Sequence, residues 1–575
     1  MEAFNSILSD EFQRQFRALE NLVMFVDNYD MTFPWHYDHC CSDGGHYGVA
    51  PSLSPWFGTI GHYYFVDLVL IHVLLTTICS YPGKTKVKTD HKVPSMSSPN
   101  ANKRSSFNES TSIFFKRFSE YGKQECHNVS TTAALFFGLP RAENGGEITL
   151  STDVLHKIWI VSYAASGNRR CFGGDFYETD LSSPQWKSRP PITDVGDGSY
   201  LVELKVDEEF AGNYTFKVIL LYSNFRGLEH QPGPWALTKE MLTVQIRFTT
   251  SRKRNPHLAT CTSHDFVSAT TWSGKWTRTK FNESCQLDKE GRYRCLGEHE
   301  ECDDSQCIGN LESLESNGWV YSAHCKFRIW NAADAWKCLD GKKLFFWGDS
   351  NHQDTIRNLM NFVLGLKQEY IERIFMANVT NPSNPAQNFS LVSIFNGHAD
   401  PNQNLLGLGS LYVPAYRDLV KNEFFRGRAP DAVIINSGIH DGHAWKKVHH
   451  FATAVKTASA FWRSLLENKS STRVVIRNTI TLAAIKRSDP SNPQKIEVFN
   501  SILSNEFQKQ LHSLENQLMF VDDYDMTFPW HYDFCCSDGG HYGIKPVLAP
   551  WFDRVGHFYF VDVMLAHVLL TAICS

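Results

Sequence analysis

Residues 4–80 recur, without a gap and with about three quarters of positions identical, as residues 499–575. A constant offset over that length marks one copied segment, and no repeat of about 20–50 residues, the period of a solenoid, runs between the copies. Both copies carry the run "SDGGHYG", which sets Asp43 beside His46 at one end of the chain and Asp538 beside His541 at the other. Carboxylate and imidazole at this spacing suit an acid and base pair. A single central body has one place for its closing segment, so the chain is expected to dock one copy and leave the other surplus.

The stretch between the copies is long enough for several domains, at about 100–200 residues each. With 42% hydrophobic and 20% charged residues it has the composition of a globular protein. A net charge of −5 argues against a nucleic-acid partner, which usually selects a basic face. Seven Asn-X-Ser/Thr sites (Asn108, Asn128, Asn213, Asn282, Asn378, Asn388, Asn468) all lie outside the repeat. Of the 15 cysteines, the first copy holds three (Cys40, Cys41, Cys79), and 15 − 3 leaves an even 12. That set fits a disulfide-bonded protein that is secreted or works in the lumen of the secretory pathway.

The opening "MEAFNSILSDEFQRQF" has neither a basic nor an apolar region of a signal peptide, against what the cysteines imply. Both facts are met if residues 1–80 are the last block of an upstream tandem copy, joined to a second copy without its own signal. On this reading residues 1–80 are dispensable. The tail "HVLLTAICS" is no membrane span, because Asp562 and His567 interrupt an apolar stretch shorter than about 20 residues. It is expected to be the closing helix of a soluble domain.

Residues 81–110 are polar, rich in Pro, Ser and Lys, and read as a linker. Residues 111–250 change to short alternating runs, "HKIWIVSYAA", "SYLVELKV", "NYTFKVILLYS" and "LTVQIRFTT", which predict an antiparallel β-sandwich. Within it, Gly173-Gly174-Asp175, Asp197-Gly198-Ser199-Tyr200 and Gly212-Asn213-Tyr214 resemble a filamin-type immunoglobulin repeat. Residues 251–340 form a connector with seven cysteines (Cys261, Cys285, Cys295, Cys302, Cys307, Cys325, Cys338). So irregular a segment needs cross-links against its conformational entropy. Zinc at Cys295, Cys302 and Cys307 is the competing reading, weakened by the lack of any CxxC pair.

Residues 341–575 carry the chemistry. In "GKKLFFWGDSNHQDTIRNLMNFVLG" a buried strand over residues 344–347 turns at Gly348-Asp349-Ser350 into an amphipathic helix bearing Ile356, Leu359, Met360 and Val363. That puts Ser350 at a helix N-terminus, where backbone N–H groups stabilise an oxyanion, although an Asp-Ser pair there is also an ordinary helix cap. A second buried strand over residues 432–435 ends in Asn436-Ser437-Gly438, and Asp538 and His541 follow. His531 and Asp525 are rival base and acid, and His440 and His443 in "HDGH" suit a metal or a solvated loop. Cys535 and Cys536 are neighbours and strained as mutual partners, so one of them is expected to pair with Cys574.

Ser first, Asn in the middle and Asp-X-X-His last is the block order of the SGNH hydrolases, which this chain resembles. The resemblance implies a three-layer α/β/α domain. Together with the Ig-like domain, the connector and "CLDGKKLFFWGDS", the region from about residue 111 is similar to the neurexophilin and PC-esterase domain family. Asn351 and His352 depart from it, standing where that group often has Thr and, a little later, Arg. The resemblance implies Ser350 as nucleophile, His541 as base and Asp538 as its orienting acid, with the backbone of Ser350 and the amide of Asn436 holding the oxyanion. The glycine that completes the hole is one of Gly397, Gly407 and Gly409.

The expected activity is an O-acyl, most readily O-acetyl, esterase or acyltransferase acting on a glycan or glycoprotein, with sialic acid a candidate acceptor. No bound cofactor or metal is expected; acetyl-CoA or another acyl donor enters as a substrate. The alternative is a secreted neurexophilin-like binding protein with an inert esterase fold. The first copy, with no Gly-Asp-Ser before it, cannot make a second active site. Oligomeric state is not legible in these residues.

Overall fold

The computed structural model describes residues 115–118, 130–140, 147–250, 258–267, 272–278, 319–366, 368, 370–397, 406–467, 471–482, 487–531, 539–542 and 560–574. The first copy of the repeat, the linker, Asp538, Cys535, Cys536 and the three candidate zinc cysteines lie outside the described residues.

The alternating runs form nine strands: β1 (Thr131–Phe137), β2 (Glu147–Ser151), β3 (His156–Ala164), β4 (Phe176–Ser183), β5 (Trp186–Ser188), β6 (Ile192–Asp194), β7 (Ser199–Leu204), β8 (Gly212–Tyr222) and β9 (Lys239–Thr249). In β8 the period of two sends Tyr214, Phe216, Val218 and Leu220 inward, where they pack with Ile160, Val202 and Trp186 between two sheets. One sheet runs β1-β3-β7-β6. The other contains β5-β4-β8-β9-β2, and β2 pairs with β9 in parallel. The expected antiparallel sandwich is therefore mixed at one edge, because the chain crosses from β1 to the opposite sheet before starting β2. Two connector strands, β10 (Lys275–Arg278) and β11 (Trp319–Ser322), extend this second sheet beyond β5. A Cys261–Cys325 disulfide closes the same region.

The C-terminal part is a six-stranded sheet of β12 (Lys343–Gly348), β13 (Ile374–Asn381), β14 (Asn384–Phe395), β15 (Ala432–Ile435), β16 (Arg473–Arg477) and β17 (Leu518–Val521), in the order β13-β14-β12-β15-β16-β17. All neighbours are parallel except the β13–β14 hairpin at the edge. Strands buried on both faces read as unbroken apolar runs, as "KLFFWG" does. Leu344 and Phe346 face α1 (Ala332–Leu339), α2 (Ser350–Asn358) and α8 (Phe560–Cys574). Phe345 and Trp347 face α3 (Pro414–Phe425), α5 (Val448–Leu466) and α6 (Pro493–Gln510), so helices cover both sides. The short helices α4 (Ile439–Ala444) and α7 (Asp523–Thr527) lie at strand ends. The apolar helix expected after Ser350 is α-helical only to Asn358 and continues as a π turn, Leu359–Val363.

The closing helix α8 is buried along almost its whole length. Among the described residues no helix is long and apolar enough to cross a membrane. Its last cysteine corrects the expected pairing: Cys574 bonds Cys338 on α1, with Cα atoms 5.8 Å apart, and so is not the partner of Cys535 or Cys536. The reason is where α8 docks. It lies against α1 and α2, so its end meets the connector helix.

Sandwich and α/β region are joined through buried charge. Arg189 pairs with Glu497 at 2.6 Å. Glu178 of β4, with no exposed surface, forms an ion pair with Arg487 at 2.7 Å, accepts from its Nε at 3.3 Å and faces His531 Nε2 at 3.3 Å. Burial alone would raise the Glu178 carboxyl, but His531 and Arg487 outweigh it and hold the group below its usual range.

Candidate active site

The carboxyl ends of the parallel strands converge at Gly348, Phe395, Ile435 and Arg477, the edge at which open α/β sheets bind ligands. After β12 the chain turns within two residues into α2. Asp349 caps that helix by accepting the Asn351 N–H at 3.0 Å. A Cβ on Gly348 would lie 2.2 Å from the His352 ring, so the turn requires glycine. Ser350 thereby begins the helix, partly exposed, with first-turn N–H groups beside it.

Ser350 Oγ lies 2.7 Å from His541 Nε2, although 191 positions separate them. The loop carrying the histidine, Gly539-Gly540-His541, is tied to the same helix by a second contact, Asn351 Nδ2 donating to Gly540 O at 3.3 Å. Asp538, the third residue expected here, lies outside the described residues.

Asn436 sits at the end of β15, its backbone N–H donating to Trp347 O at 2.9 Å. Its side-chain N–H groups are directed at Arg477 O, at 3.0 Å, and at Thr479 Oγ1, at 3.4 Å. Asn396, after β14, donates its amide to Asn436 O and to Ser437 Oγ, so the two asparagines interlock. Of the candidate glycines, Gly397 directly follows Asn396. Gly407 packs on the Asp441 carboxylate and Gly409 stands apart near Leu406 and Trp445.

The rivals have structural partners. His531 bonds Phe528 O and Glu178. Asp525 accepts from Tyr321 Oη at 2.5 Å and from Gly274 N at 2.7 Å. His443 pairs with Asp489 at 2.8 Å.

His440 packs edge-on against Phe395, whose ring also carries the Arg373 guanidinium at 4.3 Å. Burial lowers the His440 pKa; Arg373, His443 and His541 act in the same sense and Asp349 opposes them. Nothing in "IERIFMANV" distinguishes Arg373 from an ordinary strand-flanking charge.

Beneath Ser350 the packing is polar. Arg477, 2% exposed, bonds Asp523 through Nε and approaches Asp562. Asp562 of α8 accepts from Thr355 at 2.7 Å and Asn358 at 2.6 Å, both on α2. Burial pushes the Asp523 carboxyl up to about 7 despite Arg477. His352 is fully buried, lowered first by desolvation and then by Arg477, and hence neutral near pH 7. Among the described residues one group has metal-ligand spacing, Asp265, His324 and Cys325, but the Cys325 sulfur is committed to its disulfide.

Comparison with known families matches residues 319–535 to the family described as "NXPE family member 4-like, C-terminal domain", less than half of the chain. A comparison with curated proteins finds no match. Among solved structures, one described as the crystal structure of the Lin-41 filamin domain is similar over 20% of this chain and 97% of that chain, at 11% identity and a TM-score of 0.14.

Proposed function

We propose that the chain is a serine-dependent O-acyl, most readily O-acetyl, esterase or acyltransferase acting on glycans. The observation that carries this reading is the 2.7 Å contact of Ser350 Oγ with His541 Nε2 at the N-terminus of α2. A serine hydroxyl is inert near pH 7 until a neighbouring imidazole takes its proton. In the proposed reaction Ser350 Oγ attacks the acyl carbonyl while His541 Nε2 accepts the hydroxyl proton. The tetrahedral oxyanion is held by the Ser350 N–H. Collapse releases the first alcohol or thiol, which takes the proton back from His541, and leaves the acyl group on Ser350. Water or a sugar hydroxyl then attacks the acyl carbon as His541 takes its proton; the bond to Ser350 Oγ breaks, the serine regains that proton, and the free acid or acylated glycan leaves. Asp538 is assigned to orienting His541. A donor such as acetyl-CoA would enter as substrate, and no bound cofactor is required.

The match over residues 319–535 supports a PC-esterase-like relationship, and the disulfides are compatible with a lumenal or secreted protein. The three described sequon asparagines, Asn213, Asn378 and Asn388, are all exposed, as glycosylation would need.

One observation favours the second reading, an inert binding protein. The Asn436 amide is committed to Arg477 O and Thr479, so an oxyanion role would require it to exchange those bonds. Incubating the chain with acetylated and plain sialoglycans, with and without acetyl-CoA, separates the two. Deacetylation or acetyl transfer that is lost in Ser350→Ala supports the enzyme; glycan binding with no turnover in any arm supports the binding protein.

A further inference from the structure

The departure at Asn351 has a physical role. Resting on the serine mechanism proposed above, we propose that Asn351 is a positioning residue that fixes His541 against the nucleophile. His541 sits after two glycines, Gly539 with φ +103°, residues whose backbone is less restricted than that of any other type. A base must be held within a few tenths of an ångström of the hydroxyl it serves, and a displacement of about 1 Å costs about a hundredfold in rate.

The Asn351 amide donates to Gly540 O, the carbonyl of the peptide that leads into His541. Holding that carbonyl sets the plane of the Gly540–His541 peptide, from which the imidazole departs. Asn351 is itself held: its own N–H is bound by Asp349, it is 7% exposed, and it lies one residue from Ser350 on the same helical turn. Nucleophile and base thus share one rigid element. Threonine at this place could not reach as far, and aspartate would present an acceptor to an acceptor.

The test is the rate at which a fluorophosphonate labels Ser350 in the full chain, measured from pH 5 to pH 9 for wild type, Asn351→Ala and Asn351→Asp. The alanine variant should label about ten- to a hundredfold more slowly, with the pH midpoint of labelling unchanged. Asn351→Asp nearly preserves side-chain shape, which keeps the test available where alanine impairs folding. It should label more slowly still when ionised, because the carboxylate repels Gly540 O. Equal labelling of all three proteins, or an Asp variant that labels as fast as wild type, overturns the positioning role alone. A wild-type chain not labelled at Ser350 overturns the serine mechanism and this role with it.

Discussion

Replacing Glu178 by Gln should destabilise the whole described unit rather than the sandwich alone. The carboxylate is completely buried on β4 and meets Arg487 at 2.7 Å and His531 at 3.3 Å, residues more than 300 positions away. Glutamine keeps the shape but offers Arg487 one oxygen instead of two and no charge. Removing one partner of a buried pair costs about 3–5 kcal/mol, a large share of a typical total of about 5–15 kcal/mol. The assay is urea unfolding followed by tryptophan fluorescence, with Arg487→Gln and the double variant completing a cycle. A coupling of about 2 kcal/mol or more is predicted. Because Glu178 is held below its usual range, its contribution is present above the unfolded-state value of about 4.5 and is lost as pH falls through the lower folded value. The Gln variant should therefore lose less stability than wild type on acidification below about pH 4.5. His531 precedes His541 by ten residues, so fluorophosphonate labelling should also slow. A midpoint within about 0.5 kcal/mol of wild type, or a separate early transition of the sandwich with labelling intact, would refute the view that the two parts are welded.

Removing the Cys338–Cys574 bridge, which spans 236 residues, should cost up to about 5 kcal/mol on loop-closure grounds and loosen α8, whose Asp562 holds the nucleophile helix. Peptide mapping under non-reducing conditions should recover the two cysteines linked, and denaturant midpoints of the Cys338→Ala/Cys574→Ala variant should no longer respond to reductant at this bond. Burial pushes His567 down to about 3, and its Nδ1 accepts from Trp330 N at 3.1 Å. Between pH about 6.5 and 3 the unfolded chain takes up this proton and the folded one does not, so stability falls by up to about 1.4 kcal/mol per pH unit as pH drops. In His567→Asn, which keeps an acceptor for Trp330, that acid limb should be shallower by one proton in a pH series of urea midpoints.

Local patterns were legible where a local rule decides them. The run "AVII" at residues 432–435 is the strand β15, and the period of two in "NYTFKVILLY" is β8. The strand, turn and helix around Gly348-Asp349-Ser350 follow from an apolar run meeting a cap residue. What was not legible depends on distant parts of the chain. "FYETDLSS" gives no sign that its glutamate is wholly buried, because Arg487 and His531, which make that burial tolerable, lie in other elements. The strain of a Cys535–Cys536 bond points Cys574 toward one of that pair, whereas docking of α8 on α1 decides its partner. Asn436 was given an oxyanion role from block order. Which way its amide turns depends on the carbonyl of Arg477 one strand away.

The central claim is that Ser350 is a nucleophile activated by His541. It is tested most directly by labelling the full chain with a fluorophosphonate and mapping the modified peptide by tandem mass spectrometry, alongside Ser350→Ala and His541→Ala. The account predicts a single adduct at Ser350, none in Ser350→Ala, and labelling slowed by about a hundredfold or more in His541→Ala. Labelling at another serine, or labelling of Ser350 at an undiminished rate without His541, would contradict it.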